Sequence, residues 1–574
     1  MDKYDYKKLT PFKWFVLENF PLIDEDFDAL TNWQLFCKLG NEINKVINSQ
    51  NDLGQQVVNL TDAFIALQDY VDNYFENLDV QEEIDNKLDD MVEDGTLQTI
   101  VNNYVSPILE DLTEQINNTK DQVDQATEDL NDLMDSVKTP MDELRKEYYN
   151  DYSYFSLPSG LNEFFDILKV YRSNDKQNFK VNLTKDDIKA STTVVKYVDN
   201  VNGSNSNDGS TELLAYKTLT YGLGQMAADT TFILLNDKYY RNELPDTGRE
   251  INYNVNIIPK NGHCIMGTYD SLSWTHDQTY TNCYSTTRSG VNKGIDLRGA
   301  KNGAYSLLTK VTSLTDCNTT LNSYYTSGSN LYCNIGEEVT NDKVVFTLGI
   351  SNPPWNVNSS SKAVTLYFEN IDFLCGNKGN FNILGNTTYI PQLNMYNCKV
   401  LFNSDTGSDG ISMRAAKGIF INCTCDRNVK DGFNYHANSD IPSYGIEINC
   451  IGSNNGYNSS DNYNNGSTAH DGSQVVRING NYFNNKGGNV ADVQDDTLTV
   501  NINCNAFDSA STAQDGSNTD FVAQQSGATM YLYNCYSKGS KSKYNLYAVA
   551  QDAYLYYDNC EFDTKQGEGV VELT

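Results

Sequence analysis

Only four histidines occur in 574 residues, and no two cysteines have the Cys-x-x-Cys spacing of a zinc site or redox motif. The thirteen cysteines are an odd number spread over a long chain. They fit no disulfide-dense secreted module and read as buried thiols. No metal-ligand spacing stands out, so neither a metal nor a cofactor is expected. Basic residues are also short, with 42 Lys and Arg against 76 Asp and Glu and a net charge of −34. That balance excludes a general nucleic-acid binder, which needs a basic surface to neutralise phosphates. No run approaches the ~18 apolar residues of a membrane span, so no membrane insertion is expected. The first thirty residues lack the basic start and apolar core of a signal peptide.

Glycine is scarce in one part of the chain. Residues 1–150 contain only Gly40, Gly54 and Gly95, while carrying 11 Lys and Arg against 33 Asp and Glu. This front part reads as helical. Apolar residues recur at steps of three and four at Val57, Leu60, Phe64, Leu67, Val71, Tyr74 and Leu78. The spacing resumes at Leu109, Leu112, Ile116, Thr119, Val123, Ala126, Leu130, Leu133 and Val137, and Pro140 closes it. Such spacing predicts a coiled-coil seam over 109–150. An amphipathic bundle helix is the alternative, and either arrangement serves assembly.

What is abundant beyond residue 190 is a repeat. A short apolar strand followed by Asn-Cys recurs at Asn397-Cys398, Asn422-Cys423, Asn449-Cys450, Asn503-Cys504, Asn534-Cys535 and Asn559-Cys560, with variant turns at Asn370 and Asn479. Successive Asn positions lie 27, 25, 27, 30, 24, 31 and 25 residues apart. Short strands and Asn/Gly-rich turns at such a period predict a parallel β-helix over 191–574, with Cys stacked inside and Asn amides bonding along the stack. Residues 270–360, with Trp274, Trp355 and Pro353-Pro354, lose the period and read as an irregular or inserted region. Residues 151–190 read as a linker or neck.

Two stretches resemble known families. Residues 197–223, YVDNVNGSNSNDGSTELLAYKTLTYGL, with TFILLN at 231–236, resemble the opening of pectate-lyase-like right-handed β-helix proteins. Residues 8–47, dense in aromatics from Phe12 and Trp14 to Trp33 and Phe36, resemble the virion-anchoring segment of tail-spike and appendage proteins of phages infecting Gram-positive bacteria. The resemblance implies a mainly β chain in which a helical anchor (1–108) and a parallel coiled coil precede a right-handed parallel β-helix. It further implies a homotrimer, held through its N-terminus to phage tail or collar proteins, assembled in the host cytoplasm and located in the virion. Its ligand would be a host cell-wall or capsule glycan.

The richest chemistry falls between residues 431 and 496. His436, His470, Asp471, Asp431, Asp492, Asp495 and Asp496 are the candidate catalytic groups, because glycan cleavage needs proton donors and acceptors near the scissile oxygen. Arg477, Arg414, Asn434 and Tyr435 are the candidate ligand contacts, an arginine being suited to an anionic sugar or phosphate. Each also has a plainer reading, since Asp-Gly is a common turn and an acidic pair is commonly solvated. Two classes stay open, a glycan depolymerase (hydrolase, lyase or teichoic-acid phosphodiesterase) and a noncatalytic adhesion fibre. A secreted pectate-lyase-like enzyme is the third reading.

Overall fold

The computed structural model describes residues 151–573 apart from 245–250, 301–302, 349–354, 359–360, 375, 377–379, 404–407, 458, 460–461, 495 and 511–518, together with a few isolated positions between 92 and 125. The expected anchoring region, both heptad stretches and the coiled coil lie, those isolated positions aside, outside the described residues. The chain divides into two units, 1–150 and 151–574.

From Val194 onward the chain winds as a parallel β-helix with faces of twelve, ten and nine strands. One coil lays down Lys417–Ile421, Thr424–Asp426 and Phe433–His436, one strand per face. The next, with Tyr444–Ile448, Ile451–Ser453 and Ser467–His470, stacks on it in parallel register. The corner between the twelve- and ten-stranded faces is one or two residues long, and that sharp a turn requires a left-handed backbone at its first residue. Asn370, Asn397, Asn422, Asn449, Asn479, Asn503, Asn534 and Asn559 take it, with φ between 51° and 56°. Asparagine tolerates this region better than other residues that have a Cβ. The amides also form the expected ladder, Asn397 donating to Asn370 at 2.7 Å, Asn449 to Asn422 at 2.9 Å and Asn559 to Asn534 at 2.7 Å. The following cysteine turns inward, and Cys398, Cys423, Cys450, Cys504 and Cys535 are buried while Cys560 is half-buried.

A second, wholly buried ladder runs at the opposite end of the ten-stranded face, where Asn428 donates to Asn455 at 3.1 Å and Asn455 to Asn485 at 2.9 Å. It excludes any side chain from the neighbouring column. A Cβ on Gly432 would lie 2.5 Å from the Gly466 carbonyl oxygen and 2.8 Å from Asn455 Nδ2. This glycine column fixes where the nine-stranded face begins.

On the twelve-stranded face, alternate residues point into the lumen and out. Met395, Phe420 and Leu532 point in, and so do Glu447, Arg477 and Asn501, which share their column. The outward residues Ile419, Ile421, Ile446, Ile448, Val476, Ile478, Val500 and Ile502 form an apolar wall, covered by residues 151–190. That strap places Phe165, Leu168, Val170, Phe179, Leu183 and Ile188 on the wall. It is pinned at one end by an Arg172–Asp558 ion pair of 2.7 Å and at the other by Lys185–Glu369 at 2.8 Å.

Between Cys264–Gly267 and Trp355–Asn358 the chain leaves the coils. It builds a separate five-stranded and a three-stranded sheet around Val291, Leu308, Tyr324, Leu331, Cys333 and Phe346. Trp355 belongs to the solenoid core, not to this insertion. The insertion packs on the ten-stranded face, where the Tyr305 hydroxyl and His263 Nε2 (3.0 Å) both meet the fully buried Asp372 carboxylate.

Candidate functional site

The site is written as three copies of one hexapeptide, Asp409-Gly-Ile-Ser-Met-Arg414, Asp431-Gly-Phe-Asn-Tyr-His436 and Asn465-Gly-Ser-Thr-Ala-His470. Each copy ends one strand of the nine-stranded face, and the copies stack so that Ile411 pairs with Phe433, Arg414 with His436 and Phe433 with Ser467. The glycine lets the chain pass the buried Asn ladder. Residues one and three beyond it then point inward, and residues two and four point outward. The outer face therefore carries two columns, Ser412–Asn434–Thr468 and Arg414–His436–His470.

Adjacent coils bring the two imidazoles face to face, with ring centroids 4.2 Å apart and planes 10° from parallel. His470 is followed by a tight corner in which Asp471 is left-handed (φ 56°). This corner swings the Asp471 carboxylate back over the coil below, where its Oδ2 meets His436 Nδ1 at 3.0 Å. His470 Nε2 is held by the Thr468 hydroxyl at 3.0 Å. Burial lowers the pKa of His436, with the Asp471 bond acting against it and the Arg414 charge with it. Burial, then the charges of His436, Lys430 and Arg414, push His470 down to about 3. Both rings are thus held toward the neutral form, in which a free ring nitrogen can accept a proton.

At the start of the same face Asp409, Asp431 and Asn465 form a third column. Asp431 is 3% exposed and accepts from the Asn465 backbone N–H at 2.6 Å and from Asn434 Nδ2 at 3.1 Å. Burial and the neighbouring Asp409 carboxylate push its carboxyl well above the ordinary carboxylate range. Lys430 Nζ lies 3.9 Å from Asp409. Asp431 and Asn434 are too enclosed to touch a polymer, and they brace the strand that carries His436.

Three expected site residues lie inside the solenoid. Arg477 is fully buried, donating from Nε to Ser467 Oγ at 2.8 Å, with Asp492 at 3.4 Å and Glu447 at 3.8 Å. Asp492 faces the same lumen, bonded by Thr499 and Arg477, and burial pushes its carboxyl up against the pull of the guanidinium. Tyr435 donates its hydroxyl to Glu447 Oε1 at 3.1 Å. They occupy inward positions of their strands, so none can meet a ligand on the outer face. Asp496 is exposed in a left-handed turn (φ 62°), and Asp495 lies outside the described residues. The structure brings together His436, His470, Asp471 and Arg414. Asp409, Lys430 and Thr468 join them and were missed, although the recurrence of the hexapeptide was the signal for Asp409 and Thr468, and Lys430 directly precedes its second copy. Among the described residues no group of three or more His, Cys, Asp or Glu is placed to hold a metal ion.

Comparison with known proteins gives a fold-level likeness. A solved structure titled glycoside hydrolase shares 10% identity at a TM-score of 0.39, over 66% of this chain and 96% of that one. The pectate lyase Pel9A shares 14% at 0.33, over 67% and 79%, and a rhamnogalacturonan lyase 12% at 0.28, over 64% and 73%. The likeness is distant. No protein-family model and no curated protein sequence matches the chain.

Proposed function

We propose that the nine-stranded face binds a host cell-surface glycan, a capsular polysaccharide or a wall teichoic acid, and cleaves it by acid–base chemistry centred on His436. The observation that carries this reading is the His436 ring set between Asp471 and His470. One nitrogen is engaged by a carboxylate and the ring is kept toward the neutral form, the arrangement of an oriented general base. A regular face also suits a polymer, because its outward side chains recur every ~4.8 Å along the solenoid. Arg414 supplies a cation beside the histidine for an anionic sugar or phosphate. The resemblance of residues 8–47 to virion-anchoring segments supports a setting at a phage tail, as a homotrimeric tail spike or appendage attached through its N-terminal region.

Purified protein incubated with host cell wall should release oligosaccharide or glycerol phosphate. His436→Ala and Asp471→Asn should each lower that release by about 10²-fold or more, the usual range for a lost acid–base group, with the melting temperature nearly unchanged. Release at the wild-type rate by both variants would remove His436 from the chemistry. Binding of the wall without any release by the wild type would leave a noncatalytic adhesin.

A further inference from the structure

Seven arginines fall among the described residues, and six of them have a carboxylate partner. Arg172 pairs with Asp558, Arg241 and Arg288 with Asp270, Arg298 with Asp296, Arg427 with Asp426 and Arg477 with Asp492. The Arg414 guanidinium has no hydrogen bond or ion pair among the described residues, and the residue is exposed. In a chain of net charge −34, an uncommitted guanidinium at a strand end is a deliberate-looking exception. It stands one coil from His436, paired with it in register. The His436 side chain is 19% exposed, so the ring is open to solvent beside that cation.

The groups facing His436 have opposing effects on its proton. Burial and Arg414 disfavour the imidazolium, and the carboxylates of Asp471 and Asp409 favour it. His470 covers one ring face. Of these groups only Arg414 lacks a partner, so a small ligand can change its influence without rearranging the coil. An anion seated on the guanidinium would cancel its repulsion of an imidazolium and add an attraction of its own. Opposite charges within ~4–6 Å raise a histidine pKa by about one to three units.

We propose that Arg414 and His436 form an anion-gated proton switch, in which an anionic substituent of the glycan bound at Arg414 causes His436 to take up one proton. The proton comes from solvent and goes to Nε2, since Nδ1 is held by Asp471. The imidazolium then donates it to the leaving oxygen as that oxygen's bond to phosphorus or to the anomeric carbon breaks. A solvent water forms the new bond there and gives its own proton to solvent, and the ring returns to its neutral state. His470 stays neutral throughout and offers its ring face to the cation. This inference rests on the acid–base reading of the same site and assigns the class of substrate, a phosphodiester- or uronate-bearing glycan. It also makes the bound substrate, rather than the free protein, the form with a competent acid.

NMR titration of the histidine ring carbons in the full chain tests it, with inorganic phosphate and galacturonate as separate probes of the two anion classes. A saturating amount of the right anion should raise the His436 midpoint by about one unit or more and leave His470 neutral down to about pH 4. Arg414→Gln should raise the His436 midpoint in the absence of anion and abolish the response to it, a double signature that a purely structural arginine would not give. A midpoint unmoved by both anions, or moved equally in Arg414→Gln, overturns the switch. Release of product from host wall by a protein whose His436 ignores both anions would sink the switch alone. Absence of both effects would sink the acid–base reading with it.

Discussion

Arg477 offers the sharpest contrast between a surface site and a structural core. If it clamped a ligand, its removal would abolish binding and leave the fold untouched. The structure predicts the opposite. The guanidinium is 0% exposed, facing the Glu447 and Asp492 side chains, which are also 0% exposed. It donates to Ser467 Oγ at 2.8 Å and to Asn501 Oδ1 at 3.4 Å. Arg477→Met removes the cation and leaves two enclosed acids facing each other across the lumen. Deleting one partner of a buried ion pair costs about 3–5 kcal/mol, because the remaining charge has no compensation. The loss should appear as a lowered urea midpoint, with wall binding by the folded fraction unchanged. Combining Arg477→Met with Glu447→Gln and Asp492→Asn should recover much of the loss, since no uncompensated charge then remains. A variant within about 1 kcal/mol of wild type that no longer binds wall would refute the inward placement and the register with it.

Two further measurements address the histidine pair and the cysteine stack. His470, held down to about 3 in the fold, refuses a proton that the unfolded chain accepts near pH ~6.5. Its contribution is complete above that value and fades as pH falls toward 3. The loss at pH 5 relative to pH 8 is about 2 kcal/mol, an upper figure because the ring is only partly buried. The urea stability of wild type minus that of His470→Gln should shrink by this amount between pH 8 and pH 5, and a difference independent of pH would contradict the burial. In the cysteine stack, burial pushes the thiols of Cys398, Cys450 and Cys535 well up, whereas the hydrogen bond with Cys535 lowers that of the half-buried Cys560. A thiol reagent should therefore modify Cys560 alone among the stacked cysteines of the native protein, and labelling of Cys398 or Cys450 before unfolding would mean the stack is wrong.

The solenoid was legible because its two strongest constraints are written in residue types. A left-handed corner residue selects asparagine, and the crowded position after it selects cysteine in all but the Asn370 and Asn479 coils, so the pair recurs at this corner. Direction across the strand was not legible from apolar alternation, because the strap makes both sides of the twelve-stranded face apolar. The asparagine supplies the missing phase. The residue two before it always points inward, and that column reads Met395, Phe420, Glu447, Arg477, Asn501, Leu532 and Tyr557. The charged and amide members cluster at three consecutive coils, where the lumen exchanges apolar packing for an ion network capped by Tyr435 and Tyr482. Sequence chemistry alone treats a charged residue as a surface residue, and at these coils that default fails.

The same phase argument sorts the site. Counting from the corner glycine, the third residue of each strand points inward, which places Tyr435 in the lumen. Asp492, paired with Ala469 at that position, lies there too. The fourth residue points outward, which places Arg414, His436 and His470 in one column. Chemical type gathered all of these residues into one candidate set, and only position in the coil separates those that can meet a ligand from those that hold the coil together. Asp431 shows why both kinds of information are needed. It stands at the corner of the right face, yet the Asn465 backbone and Asn434 enclose it. A carboxyl pushed well above the ordinary carboxylate range by burial and a neighbouring carboxylate, and enclosed in this way, acts on a ligand only through the strand it braces. Under the proposed acid–base reading, the proton traffic of the site would rest with His436, which among the described residues of this face is the one titratable group that is partly open, bonded to a carboxylate and one coil from an unpaired cation.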